Sequence, residues 1–360
     1  MKNLKLIGFL MILASSLMFI QCTSSLDEGP QGLAGVDGQN GVDGTDGVDG
    51  ANGTATCVAC HSESHRDPIN AAFPLSDHAN QTIMYDGRTL VEYAATGSDR
   101  TSCNRCHSSE GYVNYITGKP AVALASPSAI SCNTCHNKHS TFDFENDGYD
   151  YALRNLDPVT LDLTDVTYTI DYGNSSNNCV SCHQPRSKAP VDADNDGLYL
   201  QANKRFYPHY GPQSTMLEGI QGAVIANGST TIPPVGSAAH RTGASCTACH
   251  MGTATENGTK GSHTFAASFT SPTCKTTGCH TTTPTEVTGL AADMATLHTK
   301  LFDLGLIAED GSTIEQTTTI PFKTAQALWN YKTVEEDGSN GVHNPKYATA
   351  LIKNALEAVQ

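Results

Sequence analysis

The sequence is poor in charged side chains, in basic residues and in long apolar runs. Charged residues make up 16% of the 360 residues, against about 25% in an average domain. The net charge is −15 with histidine neutral. This charge argues against nucleic-acid binding, which needs Lys and Arg to replace the counterions of the phosphates. After Ile20 no apolar run approaches the ~20 residues of a membrane-spanning helix. Something other than a salt-bridged surface and an ordinary core must organise this chain.

The N-terminus predicts export. Lys2 and Lys5 precede an apolar run from Leu6 to Ile20, and Cys22 follows. This pattern is typical of a signal peptide, here over residues 1–21. It resembles a bacterial lipoprotein signal, which implies a lipid anchor on Cys22 and membrane attachment. A plain secretory signal with a stray cysteine is the alternative. We expect an exported protein of the cell envelope, in the periplasm or as an outer-membrane or cell-surface lipoprotein, or an extracellular one.

A glycine repeat separates this start from the rest of the chain. Within residues 22–53, glycine recurs at every third position from Gly29 to Gly53. This is the collagen period, because only glycine fits at the axis of a triple helix. Two interpretations stay open, a flexible acidic tether and a stalk that assembles a homotrimer.

Residues 54–360 are predicted to form one cysteine-rich domain that is mainly α-helical, with extensive irregular loops. Apolar residues at helical spacing predict helices over 285–306 and 322–333, and Asn344 and Pro345 are typical of the start of a last helix. Long irregular stretches are unusual in a compact domain. Covalent cofactors with large apolar faces would remove this difficulty, with the helical part at the C-terminus.

Six Cys–His motifs provide the cofactor chemistry. Five have the pattern Cys-x-x-Cys-His, and the sixth carries two extra spacer residues that we expect to loop out at Gly278. Two thiols on one turn can form thioethers to the two vinyl groups of a haem, and the adjacent histidine then reaches the iron as the proximal ligand. In order, the cysteines are Cys57/Cys60, Cys103/Cys106, Cys132/Cys135, Cys179/Cys182, Cys246/Cys249 and Cys274/Cys279, and the histidines are His61, His107, His136, His183, His250 and His280. We number the motifs, and the six c-type haems that they predict, 1 to 6 in this order.

Disulfides and zinc are the competing interpretations of these cysteines. An exported chain with paired cysteines could be stapled by disulfides, but disulfides give no reason for a histidine after every second cysteine. Structural zinc needs four ligands per ion, usually from two Cys-x-x-Cys knuckles, and would leave the six histidines unused. Covalent haem explains all three positions of each motif.

Eight further histidines are available as second axial ligands, namely His65, His78, His139, His209, His240, His263, His298 and His343. Methionine is the alternative ligand, but only four methionines follow the signal peptide. His139 lies three residues after His136 and cannot reach the same iron, because the porphyrin separates the two axial faces. It could reach a neighbouring haem. The short intervals of 29 positions from Cys103 to Cys132 and 28 from Cys246 to Cys274 predict that haems 2 and 3, and haems 5 and 6, are neighbours.

An acidic hexapeptide is a candidate calcium site. Asp192, Asp194 and Asp196 alternate and are followed by Gly197, as in the first half of a calcium-binding loop. Asn203 stands at the twelfth position in place of the usual Glu. A solvated acidic turn is the alternative.

The sequences around the motifs resemble multihaem cytochromes of the broad group related to cytochrome c nitrite reductase and hydroxylamine oxidoreductase. The similar stretches include SDHA at 76–79, CNTCHNKH at 132–139, PHYGPQSTMLEG at 208–219, KGSHTF at 260–265 and DGSNGVHNPKYA at 337–348. The resemblance implies that the distal ligands are His78, His139, His209, His240, His263 and His343, with His65 and His298 in reserve. Nitrite reductases of the group usually keep one motif that ends in Cys-Lys, whereas all six motifs here end in Cys-His.

The sequence therefore predicts an electron carrier more readily than an enzyme. Bis-histidine haems have no vacant coordination site and exchange electrons through their edges. The expected partners are redox proteins with basic docking surfaces or an extracellular electron acceptor. Two alternatives remain, a multihaem reductase with one open haem and a subunit of a polymeric cytochrome filament.

Overall fold

The computed structural model describes residues 55–80, 84–142, 150–163, 167–276 and 278–360. They belong to one unit, Thr54–Gln360. The predicted signal peptide, the lipidation site Cys22 and the glycine repeat lie outside the described residues. No helix in the described part of the chain is long and apolar enough to cross a membrane.

Short helices joined by irregular segments form the N-terminal two thirds of this unit. Most of these helices have ten residues or fewer, and several carry one of the Cys–His motifs. The helices are α1 (Ala55–His61), α2 (Glu63–Ala72), α3 (Leu90–Ala95), α4 (Asn104–His107), α5 (Ser109–Ile116), α6 (Cys132–Cys135), α7 (Ser176–Val180), α8 (Gln213–Glu218), α9 (Ala239–Gly243) and α10 (Ser245–His250). Single 3-10 turns occur at Phe73–Leu75, Glu256–Gly258, Ser262–Thr264 and Pro272–Lys275.

The strands among the described residues are three antiparallel pairs of two residues each. They are β1 (Met84–Tyr85) with β2 (Arg88–Thr89), β3 (Val159–Thr160) with β4 (Thr169–Ile170), and β5 (Leu198–Tyr199) with β6 (Ile320–Pro321). The last pair links the middle of the chain to its C-terminal part. The predicted class, mainly α-helical with extensive loops, is confirmed at this level.

Three longer helices close the chain, α11 (Leu290–Asp303), α12 (Phe322–Asp337) and α13 (Pro345–Ala358). The prediction that the first of them begins at residue 285 is wrong. Gly289 has a φ of +81°, a left-handed conformation that glycine adopts freely and that ends a regular helix. The last helix begins as predicted, because the Asn344 side chain accepts a hydrogen bond from the backbone N of Tyr347 (3.2 Å) and Pro345 occupies the first position.

The largest apolar core lies between these three helices. Leu297, Leu301, Trp329 and Leu351 are each at most 1% exposed. The indole N–H of Trp329 donates to the carbonyl of Gln221 (2.8 Å), which fixes the preceding irregular segment against α12. A smaller apolar cluster surrounds Val180 and strands β3 and β4. The region between the motifs has no comparable apolar core in the described residues.

Candidate haem-binding site

The Cys–His motifs share one local backbone geometry. In motifs 2, 3 and 4 the backbone N–H of the histidine donates to the carbonyl of the first cysteine, at 3.2 Å for His107, 2.9 Å for His136 and 2.9 Å for His183. Motifs 1 and 5 lie in α1 and α10. One helical turn therefore brings both cysteines of each motif near the following histidine.

The sixth motif keeps this closure despite its longer spacer. The backbone N of His280 donates to the carbonyl of Cys274 at 3.0 Å, the same pair of positions as in the shorter motifs. Gly278 has a φ of +88°, which a residue with a side chain rarely adopts. The two ends of the motif therefore stay in register despite the longer spacer.

Each of the six motif histidines faces a histidine from another part of the chain. The ring centres are 5.9–6.3 Å apart, and no histidine is shared between pairs. The pairs are His61 with His139 (6.1 Å), His107 with His209 (6.2 Å), His136 with His263 (6.3 Å), His183 with His78 (5.9 Å), His250 with His343 (6.1 Å) and His280 with His240 (6.0 Å). The six remote histidines are those that the resemblance implied.

This separation fits one metal ion between two imidazoles. A metal–imidazole bond is about 2 Å long and the ring centre lies about 1 Å behind the nitrogen, so two rings on one iron have centres about 6 Å apart.

The paired histidines line one large cavity of about 2800 Å³. All twelve motif cysteines except Cys103 are also among its lining residues. Shared among six groups, this volume is about 470 Å³ each, within the ~300–1,000 Å³ of a pocket for one small molecule. Volume, thiols and paired imidazoles together fit six covalent haems.

Hydrogen bonds orient several of these rings through Nδ1, which leaves Nε2 for a metal. Backbone carbonyls contact three of them, Tyr151 O with His136 (2.8 Å), Val342 O with His240 (2.6 Å) and Phe265 O with His250 (2.7 Å). The side-chain amide oxygen of Gln213 contacts His183 at 3.2 Å.

Two of the remote histidines contact a carboxylate. His139 Nδ1 lies 2.7 Å from Asp150 Oδ1, and His343 Nδ1 lies 2.6 Å from Asp337 Oδ1. Burial opposes ionisation of Asp150, but hydrogen bonds from Ala152, Ser140 and His139 hold the pKa of its carboxyl well below its usual range. Sequence reasoning missed both aspartates, because only the folded chain brings them to the rings.

Burial keeps other rings neutral. It lowers the pKa of His78 to about 4, with a smaller contribution from His183, and it lowers the pKa of His209 to about 4, with a contribution from His107. A neutral imidazole is the form that binds a metal. These rings are therefore available as ligands at neutral pH.

Motif 4 lies at the centre of the motifs. The Sγ atom of Cys182 is 3.7 Å from the carbonyl of Arg105, which places motifs 4 and 2 in contact. The hydroxyl of Ser176, just before motif 4, contacts that of Ser245, just before motif 5, at 2.9 Å. The thiol of Cys135 in motif 3 bonds to Asn178 beside motif 4.

Motifs 3 and 6 also contact the motifs that precede them in the chain. Thr134 of motif 3 donates to the hydroxyl of Ser109, just after motif 2, at 2.7 Å, so motifs 2 and 3 are neighbours as their short interval predicts. The turn that carries Cys274 packs against α10, so motifs 5 and 6 are neighbours as well. Interval lengths did not indicate the contacts of motif 4 with motifs 2 and 5, which join segments far apart in sequence.

The two reserve histidines face no motif histidine at a comparable distance among the described pairs. His65 lines the cavity near His263. His298 lies on α11 with its ring 6.0 Å from that of Tyr331, outside the cavity. None of the twelve described cysteines forms a disulfide.

The three aspartates of the candidate calcium loop do not converge. Asp192 accepts hydrogen bonds from the backbone N of Asp196 (3.2 Å) and of Gly197 (3.0 Å), and Asp196 accepts one from Leu198 (2.9 Å). In the described part of the chain, no group of three or more His, Cys, Asp or Glu side chains is placed to hold a metal ion. These hydrogen bonds form a turn that directly precedes β5. Calcium binding stays a prediction.

No protein-family model matches the chain, and neither does any curated protein. Among solved structures, the chain is similar to the crystal structure of the outer cell wall cytochrome OcwA, with a TM-score of 0.46 and 18% sequence identity. The alignment covers 81% of this chain and 50% of that cytochrome, so the chain spans about half of its length.

Proposed function

We propose that the chain is an exported c-type cytochrome that carries six covalent haems and transfers electrons at the cell envelope. The observation that supports it most is the one-to-one pairing of six motif histidines with six remote histidines at 5.9–6.3 Å across a common cavity. Neither disulfides nor structural zinc explains why every motif histidine faces another histidine.

The residues of the chain have three roles in this proposal. Twelve cysteines would anchor the haems as thioethers, and the two rings of each pair would ligate the iron. The hydrogen bonds to Nδ1 hold Nε2 toward the metal. Bound haem supplies one-electron exchange between Fe(III) and Fe(II). Motifs 2, 3 and 5 all contact motif 4, motif 6 packs against motif 5, and His139, which faces His61 of motif 1, lies three residues after His136 of motif 3, so no haem would be isolated from the others.

The pairing favours electron transfer over catalysis. A reductase of the nitrite or hydroxylamine type needs one iron with an open face, and here each motif histidine has a ring opposite to it. The acidic chain, at −15 before any haem propionates are counted, favours basic partner proteins or an external acceptor. We also propose that Cys22 is lipidated, which the intact mass tests. The glycine repeat is proposed as a tether or a trimer stalk, and the oligomeric state distinguishes the two.

The test uses the full chain, matured in a bacterial periplasm with the haem attachment machinery. Pyridine haemochrome and intact mass should give six haems per chain, and EPR should show low-spin ferric haem. Replacing Cys274 and Cys279 together with alanine should give five. A folded but colourless protein, with its sulfurs joined to each other or to zinc, would refute the proposal.

A second measurement separates the carrier from the enzyme. The reduced protein should be reoxidised by a soluble ferric chelate and should not turn over nitrite or hydroxylamine. Turnover of either compound together with high-spin haem would favour the reductase.

A further inference from the structure

We propose that Asp337 and Asp150 hold the irons of haems 5 and 1 at the lowest potentials in the protein, by accepting hydrogen bonds from the axial ligands His343 and His139. The inference rests on the proposed function and extends it. It assigns the two aspartates as positioning residues that act on the iron through the imidazole.

Asp337 is held as a hydrogen-bond acceptor for His343. It is the last residue of α12, and its side chain is completely shielded from solvent. One carboxylate oxygen contacts His343 Nδ1 at 2.6 Å, and the other accepts a hydrogen bond from Ser339. With both oxygens engaged, the carboxylate cannot turn away from the ring. Water does not screen it, so its effect on the imidazole is larger than at a surface.

Asp150 is held in the same relation to His139 by different contacts. Its Oδ1 atom also accepts a hydrogen bond from the backbone N of Ala152 (2.8 Å). Its Oδ2 atom accepts from the backbone N and the hydroxyl of Ser140, at 2.7 and 2.8 Å. Three donors from the protein therefore fix this carboxylate as an acceptor for the ring. The same carboxylate–histidine contact therefore occurs in two separate segments of the chain.

Five of the other ten ligands provide an internal contrast. His136, His240 and His250 contact neutral backbone carbonyls, and His183 contacts a neutral amide. The buried Nδ1 atom of His263 has no hydrogen-bond partner in the part of the chain that the structure describes. A carboxylate draws the Nδ1 proton more strongly than these groups do and makes the ring more basic. A more basic ligand stabilises Fe(III) relative to Fe(II), which lowers the potential.

Of haems 5 and 1, haem 5 should have the lower reduction potential. Its distal ligand His343 has the shielded Asp337, and its proximal ligand His250 contacts the carbonyl of Phe265 at 2.7 Å. Both of its ligands are therefore polarised through Nδ1. Motif 5 adjoins both motif 4 and motif 6, so an electron on a low-potential haem 5 would pass readily to either neighbouring haem.

The experiment compares Asp337→Asn, Asp150→Asn and the control Asp303→Asn in the fully matured chain. An asparagine keeps the shape and an acceptor oxygen but removes the charge. Asp303 is exposed at the end of α11, so the control removes one charge away from the two ligand contacts. The readouts are haem count by haemochrome and mass, EPR g values, and a potentiometric titration that resolves the haems.

Each asparagine variant should keep six haems, change one set of low-spin EPR signals and shift one titration step upward. We expect at least a tenfold change in the Fe(III)/Fe(II) equilibrium of that haem, which is 59 mV for a one-electron couple. Asp303→Asn should leave every step in place.

Two results would overturn the inference. One is six haems with unchanged potentials in both variants. The other is loss of one haem in both variants with the remaining five unchanged, which would make the aspartates purely structural. Failure of the proposed function is distinguishable, because the wild-type protein would then lack the six haems.

Discussion

His209 allows a sharp test of axial ligation, because its backbone is strained in a way that a substitution can relieve. Its φ is +67°, a left-handed conformation that costs a residue with a side chain roughly 1–2 kcal/mol. Glycine adopts it freely. His209→Gly therefore removes the ring opposite His107 without adding strain to the backbone.

The expected magnitude follows from the pairing. One of six irons loses a ligand, so about one sixth of the haem should become high-spin, as EPR spin quantitation would measure. The removed ring had its centre 6.2 Å from that of His107, so the gap admits a free imidazole. Added imidazole should restore the low-spin signal.

The matched controls are His298→Ala and His65→Ala, which remove the two reserve histidines. Both should remain fully low-spin. The reasoning would be refuted if His209→Gly stayed fully low-spin, or if either control produced the high-spin signal in its place.

Three further predictions concern charge, packing and pH. Arg186→Gln should lower the potential of haem 2, measured by potentiometric titration, because the guanidinium lies 3.3 Å from the Sγ atom of the first cysteine of motif 2 and its charge favours Fe(II). Leu297→Ala should destabilise the fully buried C-terminal core by about 2–5 kcal/mol in denaturant unfolding, whereas the exposed Leu304→Ala should change it by less than about 0.5 kcal/mol. Burial and the hydrogen bond to Glu218 raise the pKa of Tyr168 to about 12, so Glu218→Gln should lower it in an alkaline absorbance titration.

The direction in which Tyr168 changes stability with pH follows from its pKa in the folded and in the unfolded chain. The folded pKa lies above the unfolded value of about 10, so the contribution of the neutral phenol to stability is complete below pH 10. It is lost as the pH rises from 10 toward 12. Tyr168→Phe identifies the absorbance change that belongs to this residue. An unchanged pKa of Tyr168 in Glu218→Gln would contradict the role of Glu218.

For Arg186→Gln, an unchanged or raised potential of haem 2 would contradict the argument from charge.

Local features of the fold could be predicted from the sequence, and features that depend on distant segments could not. The helical turn around Cys132 and the start of the last helix at Pro345 depend on neighbouring residues alone. The error in the predicted start of α11 also has a local cause. Gly289 takes a left-handed conformation, which an apolar pattern does not reveal. The meeting of His78 with His183 depends on packing between segments more than a hundred residues apart.

Some residues of the candidate site could be predicted from the sequence, and others could not. Spacing alone indicated the cysteines and the adjacent histidines, and it left eight histidines open as second ligands. Asp337 lies six residues before His343, but the sequence does not show that the end of α12 turns its carboxylate onto that ring. Likewise, the central position of motif 4 arises from contacts with motifs that lie before and after it in the chain. The aspartates and the order of the motifs in space therefore needed the folded structure.

The hollow between the motifs also bears on how such a protein is made. Interiors pack as densely as organic crystals, so a chain that lacked the haems to fill the cavity of about 2800 Å³ would collapse. We expect no stable pigment-free precursor in the cell. The polypeptide should leave the cytoplasm unfolded, receive its tetrapyrroles while its thiols are still open to an attachment enzyme, and close afterwards. A host without that maturation system should then yield degraded chain instead of an inactive but folded product.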